Sequence, residues 1–168
     1  MKTNFVIFFI FFFTEWGYGQ SSLTQKLIQA DSVLLVSHEM TSRSTNSMVD
    51  SAGHTVILPD LTIGGALNTK IVIEEKVLTV KEIGALVKAL TYTYKPSRII
   101  SQSGCFDPHH AIIIVKGKKT SFIELCFHCL GFETSKDIIN LEIKEDKWEK
   151  LYKLFKDYGF KHEMFLEP

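Results

Sequence analysis

Two apolar, β-branched segments joined by a short turn are the feature that most limits how this chain can fold. The segments cover residues 110–115 and 120–127, and the stretch between them contains Gly117. Runs of this composition on both sides of a glycine-containing turn are typical of a β-hairpin. We therefore predict an antiparallel pair of strands here, with the turn at residues 116–119.

The length of the turn sets the register of this predicted hairpin. A loop of two or four residues places Ala111 opposite Glu124 and His109 opposite Cys126. A loop of three residues shifts the register by one and places His110 opposite Cys126 or His109 opposite Leu125. The register therefore decides which histidine lies beside Cys126.

Cysteine and histidine residues are concentrated at the two ends of the predicted hairpin. All three cysteines of the chain and three of its six histidines lie between positions 105 and 129. Because the two ends of a hairpin meet at one end of the sheet, we expect these residues to lie close together. Their chemistry points to a metal site, a disulfide or thiol redox activity.

A metal site is the first interpretation, and its predicted ligands are Cys105, His109, Cys126 and Cys129. Three thiolates and one imidazole suit tetrahedral zinc, which is the cofactor we expect if a metal is bound. Cu(I) or iron accepts the same donors. His110 and His128 would then be spare ligands, or would orient the ligands by hydrogen bonds.

The second and third interpretations use the thiols without a metal. A disulfide of Cys105 with Cys129, or of Cys105 with Cys126, leaves one of the three cysteines unpaired. Thiol redox chemistry would use the Cys126-x-x-Cys129 motif, in which His128 favours a thiolate at the first cysteine. Redox motifs of this type usually open a helix, whereas this one ends a predicted strand.

The amino terminus has the three-part pattern of a secretory signal peptide. Lys2 precedes the unbroken apolar run Phe5–Phe13, and the small residues Gly17 and Gly19 suit cleavage before Gln20. The run is too short to span a bilayer, which takes about 20 residues. We therefore predict a signal peptide at residues 1–19 and export to the periplasm or the cell exterior, where disulfides persist.

The rest of the chain limits the range of partners. Its formal net charge is zero, and signal cleavage leaves it at zero because Lys2 and Glu15 carry opposite charges. Without a basic stripe we expect no nucleic acid as a partner. A second apolar run of membrane-spanning length is absent from the sequence, so we expect no membrane span after cleavage. The partners stay unknown.

Local patterns predict the remaining elements of a single domain at residues 20–168. A short helix at residues 23–30 and a buried strand at 32–37 precede a flexible loop at about 41–53. Thr79 and Glu82 form a capping-box pattern ahead of a helix. A last helix at 145–158 carries an aromatic stripe. We predict an α+β fold with a mainly antiparallel sheet, the central hairpin included, and two helices packed on one face.

Motifs of the common enzyme classes do not occur: neither G-x-S-x-G, H-E-x-x-H, a P-loop nor G-x-G-x-x-G is present. We therefore expect a non-enzymatic exported protein whose Cys/His cluster is a structural zinc site or a disulfide. The alternative is a thiol oxidoreductase that acts through Cys126 and Cys129. Among the other polar residues, we expect Glu124 to face outward and His38, His54 and His162 to be surface or cap residues.

The segment from Cys105 through Pro108 to Ala111, together with residues 122–129, resembles a group of small exported proteins of Bacteroidota. The shared motif is C-x2-P-x-H followed by C-x-x-C, and the likeness extends over about residues 70–160. This group is uncharacterised, so the resemblance implies export and brings no established activity. This chain departs from the group by having His109 in place of an arginine. It also has no cysteine in residues 140–146, where members carry one.

Overall fold

The computed structural model describes residues 18–42, 47–49, 51–91 and 106–164. Most of the predicted signal peptide, residues 92–104 and Cys105 lie outside these ranges. The described helices are α1 (Tyr18–Ile28), α2 (Val80–Thr91) and α3 (Glu145–Asp157). The described strands are β1 (Ser32–His38), β2 (Ser47–Val49), β3 (Thr55–Ile57), β4 (Thr62–Ile63), β5 (Ala66–Leu67), β6 (Val72–Val77), β7 (His110–Lys116), β8 (Lys119–Cys126) and β9 (Gly131–Thr134). A short 3-10 helix, Thr69–Ile71, precedes β6.

The predicted hairpin forms the middle of a five-stranded antiparallel sheet with strand order β6-β1-β7-β8-β9. Ala111 pairs with Glu124, and Lys116 pairs with Lys119 across a two-residue turn. Gly117 in this turn has φ +58°, a conformation that glycine adopts without steric cost. The register for a two-residue loop is confirmed, and the three-residue alternative is excluded.

Asp31 helps to hold the hairpin turn. Its carboxylate accepts hydrogen bonds from the Gly117 amide at 2.7 Å and from the Lys116 ammonium at 3.2 Å. The bond from the Gly117 amide, followed by the bond from Lys116, lowers the pKa of Asp31. The start of β1 is thereby tied to the tip of the hairpin beside it.

The three helices pack on one face of the sheet. Alternate residues of β1, β7 and β8 point to this face and meet the apolar sides of the helices. The largest contributors to this first core are Leu27, Leu86, Ile112, Ile114, Ile123, Phe127, Trp148, Leu151 and Phe155. The predicted α+β fold is confirmed, and α1 joins the two predicted helices on the same face.

A second, smaller core covers the opposite face of the sheet. The chain between β1 and β6 contains two short ribbons, β2–β3 and β4–β5, and its later part covers this face. Val36, Ile113 and Phe122 of the sheet pack there against Leu61 and Ile71 of the covering segment. Strand β2 lies inside the segment predicted as a loop, whereas residues 43–46 and 50 lie outside the described part.

The start of α2 confirms the predicted capping box. The Thr79 amide donates to Glu82 Oε2 at 2.7 Å, and the Glu82 amide donates to Thr79 Oγ1 at 3.4 Å. The bond from the Thr79 amide is the main cause that lowers the pKa of Glu82. These reciprocal bonds satisfy two amides that would otherwise be unpaired at the helix end. Among the described residues, none of the helices is both long and apolar enough to cross a membrane.

Truncating Ile113 tests whether the second face is a true core. Ile113 is fully buried on β7, so Ile113→Ala should lower the free energy of unfolding by roughly 2–5 kcal/mol. The matched control is Ile57→Ala, because Ile57 on β3 is 82% exposed and should change stability by less than about 0.5 kcal/mol. Urea unfolding measures both. Equal effects in the two variants would show that the second face is not tightly packed.

Candidate functional site

The Cys126-x-x-Cys129 motif lies in the tight connection between β8 and β9. Cys126 is the last residue of β8 and pairs with Gly131, the first residue of β9. The chain turns between them, so the two sulfur atoms lie at disulfide distance, with the Cα atoms 5.6 Å apart. Such a Cα separation is normal for a disulfide. The expectation that the Cys/His cluster lies close together therefore holds for these two cysteines.

This pairing corrects the predicted disulfides. The disulfide interpretation pairs Cys105 with Cys126 or Cys129, but those two cysteines are bonded to each other. The reason is local: the turn brings two residues three positions apart into bonding range without help from another segment. The motif also ends a strand instead of opening a helix, as its place after the apolar run indicates.

Crowding around the turn explains its sequence. Leu130 has φ +52°, so the chain reverses sharply before β9. A Cβ atom at Gly131 would lie 3.0 Å from the ring of Phe106 and 3.4 Å from Cys129 Sγ. Glycine leaves room for this ring to pack beside the disulfide.

Both cysteines of the disulfide are buried, with 1% of Cys126 and 6% of Cys129 exposed. The Cys129 amide donates a hydrogen bond to Cys126 Sγ at 3.1 Å, which closes the turn. The sulfur atoms are therefore surrounded by protein instead of solvent.

The histidines predicted around this site point in different directions. His128 is exposed, whereas His110 is buried on the helix face between the rings of Phe127 and Phe155, 4.9 and 5.4 Å away. His109 lies with its Nε2 atom 3.3 Å from Asp107 Oδ1. Their separation over two faces of the sheet follows from strand alternation.

The predicted zinc ligands are only partly described, because Cys105 lies outside the described residues. Within the described ranges, no group of three or more His, Cys, Asp or Glu side chains is arranged to hold a metal ion. A bonded Cys126–Cys129 pair also offers no thiolate. The zinc set of Cys105, His109, Cys126 and Cys129 stays a prediction that requires the reduced state.

A buried polar cluster on the second face was missed from the sequence. The Thr41 hydroxyl donates to Glu124 Oε1 at 2.8 Å, and His38 Nε2 lies 3.9 Å from the same oxygen. All three residues are fully buried. The predictions that Glu124 faces outward and that His38 is a surface residue are therefore wrong, since the covering segment closes over this face.

One signal in the sequence could have revealed the burial of Glu124. Its partner strand β7 is apolar at every position from Ala111 to Val115. It lacks the alternation of apolar and polar residues that is typical of a strand with one solvent-exposed face. Such a run indicates burial on both faces. Since Ala111 lies opposite Glu124, the carboxylate must share a buried face with it.

A further contact anchors the chain after α3 beside this end of the sheet. Glu74 on β6 accepts a hydrogen bond from Ser37 Oγ at 2.8 Å and from the amides of Lys161 and His162 at 3.1–3.2 Å. Burial alone would raise the pKa of Glu74, but these hydrogen bonds lower it. The ring of His162 then lies edge-on to His109, with centroids 5.6 Å apart.

Burial holds two of the clustered histidines in the neutral form. Loss of water around the ring is the largest cause that lowers the pKa of His38 to about 4 and of His110 to about 3. The neighbouring histidines add repulsion against a further positive charge. These two histidines and the disulfide are therefore buried at the same end of the sheet.

No family model, curated protein or solved structure matches the chain. The functional argument therefore rests on the chain's own residues and their geometry.

The neutral histidines predict a loss of stability in mild acid. The unfolded chain takes up protons near pH 6.5, whereas folded His110 does so near pH 3, so unfolding becomes easier as the pH falls below 6.5. From about pH 6.5 to about pH 5, each such histidine should remove roughly 1–2 kcal/mol of stability. Urea unfolding at several pH values measures the loss.

The variant His110→Phe provides the matched comparison, because a phenyl ring suits the aromatic surroundings and does not titrate. Its stability should depend less steeply on pH than that of the wild type over the same interval. The carboxylates with lowered pKa, such as Glu74, are the same in both proteins, so their titration cancels in the comparison. Identical slopes for the two proteins would contradict the assignment.

Proposed function

We propose that this chain is an exported, non-enzymatic protein in which the Cys126–Cys129 disulfide acts as a structural clamp. The observation that carries the proposal is the burial of both sulfur-bearing residues in the β8–β9 turn. A disulfide that exchanges with a partner needs at least one accessible sulfur for thiolate attack. Buried sulfurs favour a permanent bond.

The clamp holds the turn next to the buried polar cluster. Glu124 lies two residues before Cys126 on β8, so displacement of this strand end would bring water to Glu124 and His38. Water would then satisfy these polar groups, and they would no longer need to stay paired inside the protein. A short covalent loop at the end of β8 limits such displacement. This mechanism needs no ligand and no catalytic turnover.

Export is supported by the amino-terminal sequence and by the disulfide together. The pattern of Lys2, the Phe5–Phe13 run and the small residues before Gln20 is that of a secretory signal. Stable disulfides persist in the periplasm and outside the cell, and are rare in the cytosol.

Counting free thiols and bound metal in the same sample of mature protein tests this proposal directly. The chain has three cysteines, so the clamp predicts a single reactive thiol per denatured chain and no stoichiometric zinc. The sample should come from the periplasm without reductant. Three reactive thiols with about one zinc per chain would contradict the clamp and support the zinc site instead.

Removing the clamp should cost stability. The double variant Cys126→Ser/Cys129→Ser should unfold with a free energy lower by roughly 2 kcal/mol, the chain-entropy value for so short a loop. Cys105→Ser is the control, because the clamp does not use Cys105 and this variant should unfold like the wild type in urea. If Cys105→Ser is as destabilising as the double variant, the three cysteines act as one site.

A thiol oxidoreductase is the second candidate, and one contact favours it. The Cys129 amide that donates to Cys126 Sγ would also stabilise a thiolate there after reduction. The reduction potential separates the two functions: a structural disulfide lies below about −300 mV, whereas thiol oxidoreductases lie between roughly −270 and −120 mV. We expect the lower value from equilibration with redox buffers of known potential.

A further inference from the structure

A groove lies between helices α2 and α3. Its volume is about 550 Å³. Ala85 and Ala89 of α2 and Leu154 of α3 line its apolar part, and three lysines and Asp157 complete its lining. Small-molecule sites typically measure about 300–1,000 Å³, so the groove has the size of a ligand site.

The apolar floor exists because α2 presents small side chains toward α3. Ala89 is buried in the first core, and Leu154 packs against the same core. Two alanines cannot fill the space between the helices, so an apolar recess stays open beside a well-packed core. A ligand chain that enters it would exchange water for existing apolar walls.

The charges at the rim favour an anionic group. Lys153 forms an ion pair with Asp157 at 2.9 Å, and Lys150 forms one with Asp146 at 3.3 Å. Lys88, also at the rim, is exposed, and within the described part of the chain it forms no ion pair. One ammonium next to an apolar recess is therefore available to a ligand.

We propose that this groove binds a single-chain amphipathic carboxylate, such as a free fatty acid. The alkyl chain would lie on Ala85, Ala89 and Leu154, and the carboxylate would pair with Lys88. The recess has the volume of a small-molecule site, whereas a stable protein partner needs an interface of about 1,200 Å² or more. This binding site is independent of the disulfide clamp, and either can fail without the other.

Calorimetric titration of the mature protein with dodecanoate and with dodecanol tests the proposal. Both probes are used below the concentration at which they self-associate. Dodecanoate should bind saturably at one molecule per chain, with an affinity roughly twofold to fivefold higher than that of dodecanol, the gain of one exposed ion pair. Equal affinities for the two probes would overturn the role of Lys88.

Three variants locate the site. Lys88→Gln should reduce the affinity for dodecanoate to that for dodecanol and leave dodecanol binding unchanged. Lys81→Gln is the matched control, because Lys81 is exposed on the same helix but does not line the groove, and it should change neither affinity. Ala85→Phe should fill the recess and reduce both affinities more than tenfold.

Circular dichroism and thermal melting check that the filled variant folds. If Ala85→Phe unfolds, the smaller change Ala85→Leu provides the same test. Undiminished binding in a folded, filled variant would overturn the proposal. An absence of saturable dodecanoate binding would also overturn it. If the protein then sediments with phosphatidylglycerol vesicles in a way that depends on Lys88, the surface binds a membrane instead.

Discussion

Burial of strand β7 on both of its faces is the constraint on which the rest of the structure depends. Ile112 and Ile114 face the helices, whereas Ile113 faces the second core. A strand in this position needs a cover on each side, because either face left open would expose branched apolar side chains to water. The three helices supply one cover, and the segment between β1 and β6 supplies the other. Strand β8 pairs with β7 and is covered on the same two faces, so Glu124 on β8 is buried as well.

Two-sided burial also explains why the histidines at one end of the sheet are neutral. Once the covering segment closes, His38 and Glu124 lose contact with water, and His110 is enclosed by aromatic rings on the other face. A neutral imidazole tolerates such a place better than a charged one. The disulfide lies at the end of the same strand as Glu124. In this account the disulfide clamp and the buried histidines together keep water out of this end of the protein.

The parts of the fold that depend on neighbouring residues could be predicted from the sequence. The register of the hairpin follows from the length of its turn, and the start of α2 follows from the spacing of Thr79 and Glu82. The burial of Glu124 could not be predicted in this way, because it depends on a distant segment of short strands whose polar sequence does not indicate packing. The disulfide partner of Cys126 was mispredicted for a different reason, which is local to the turn. Strand alternation separates Cys126 from Cys129, and only the sharp reversal at Leu130 reunites them.

The central claim is that the Cys126–Cys129 disulfide is sealed inside a closed end of the sheet. The rate at which dithiothreitol reduces this bond in the native protein tests it most directly, with hydrogen exchange of the Ile113 amide as the reference for global opening. The account predicts that reduction is no faster than this exchange, because the sulfurs become accessible only when the fold opens. Rapid reduction while the Ile113 amide stays protected would contradict the account and would show a disulfide that exchanges in the folded state.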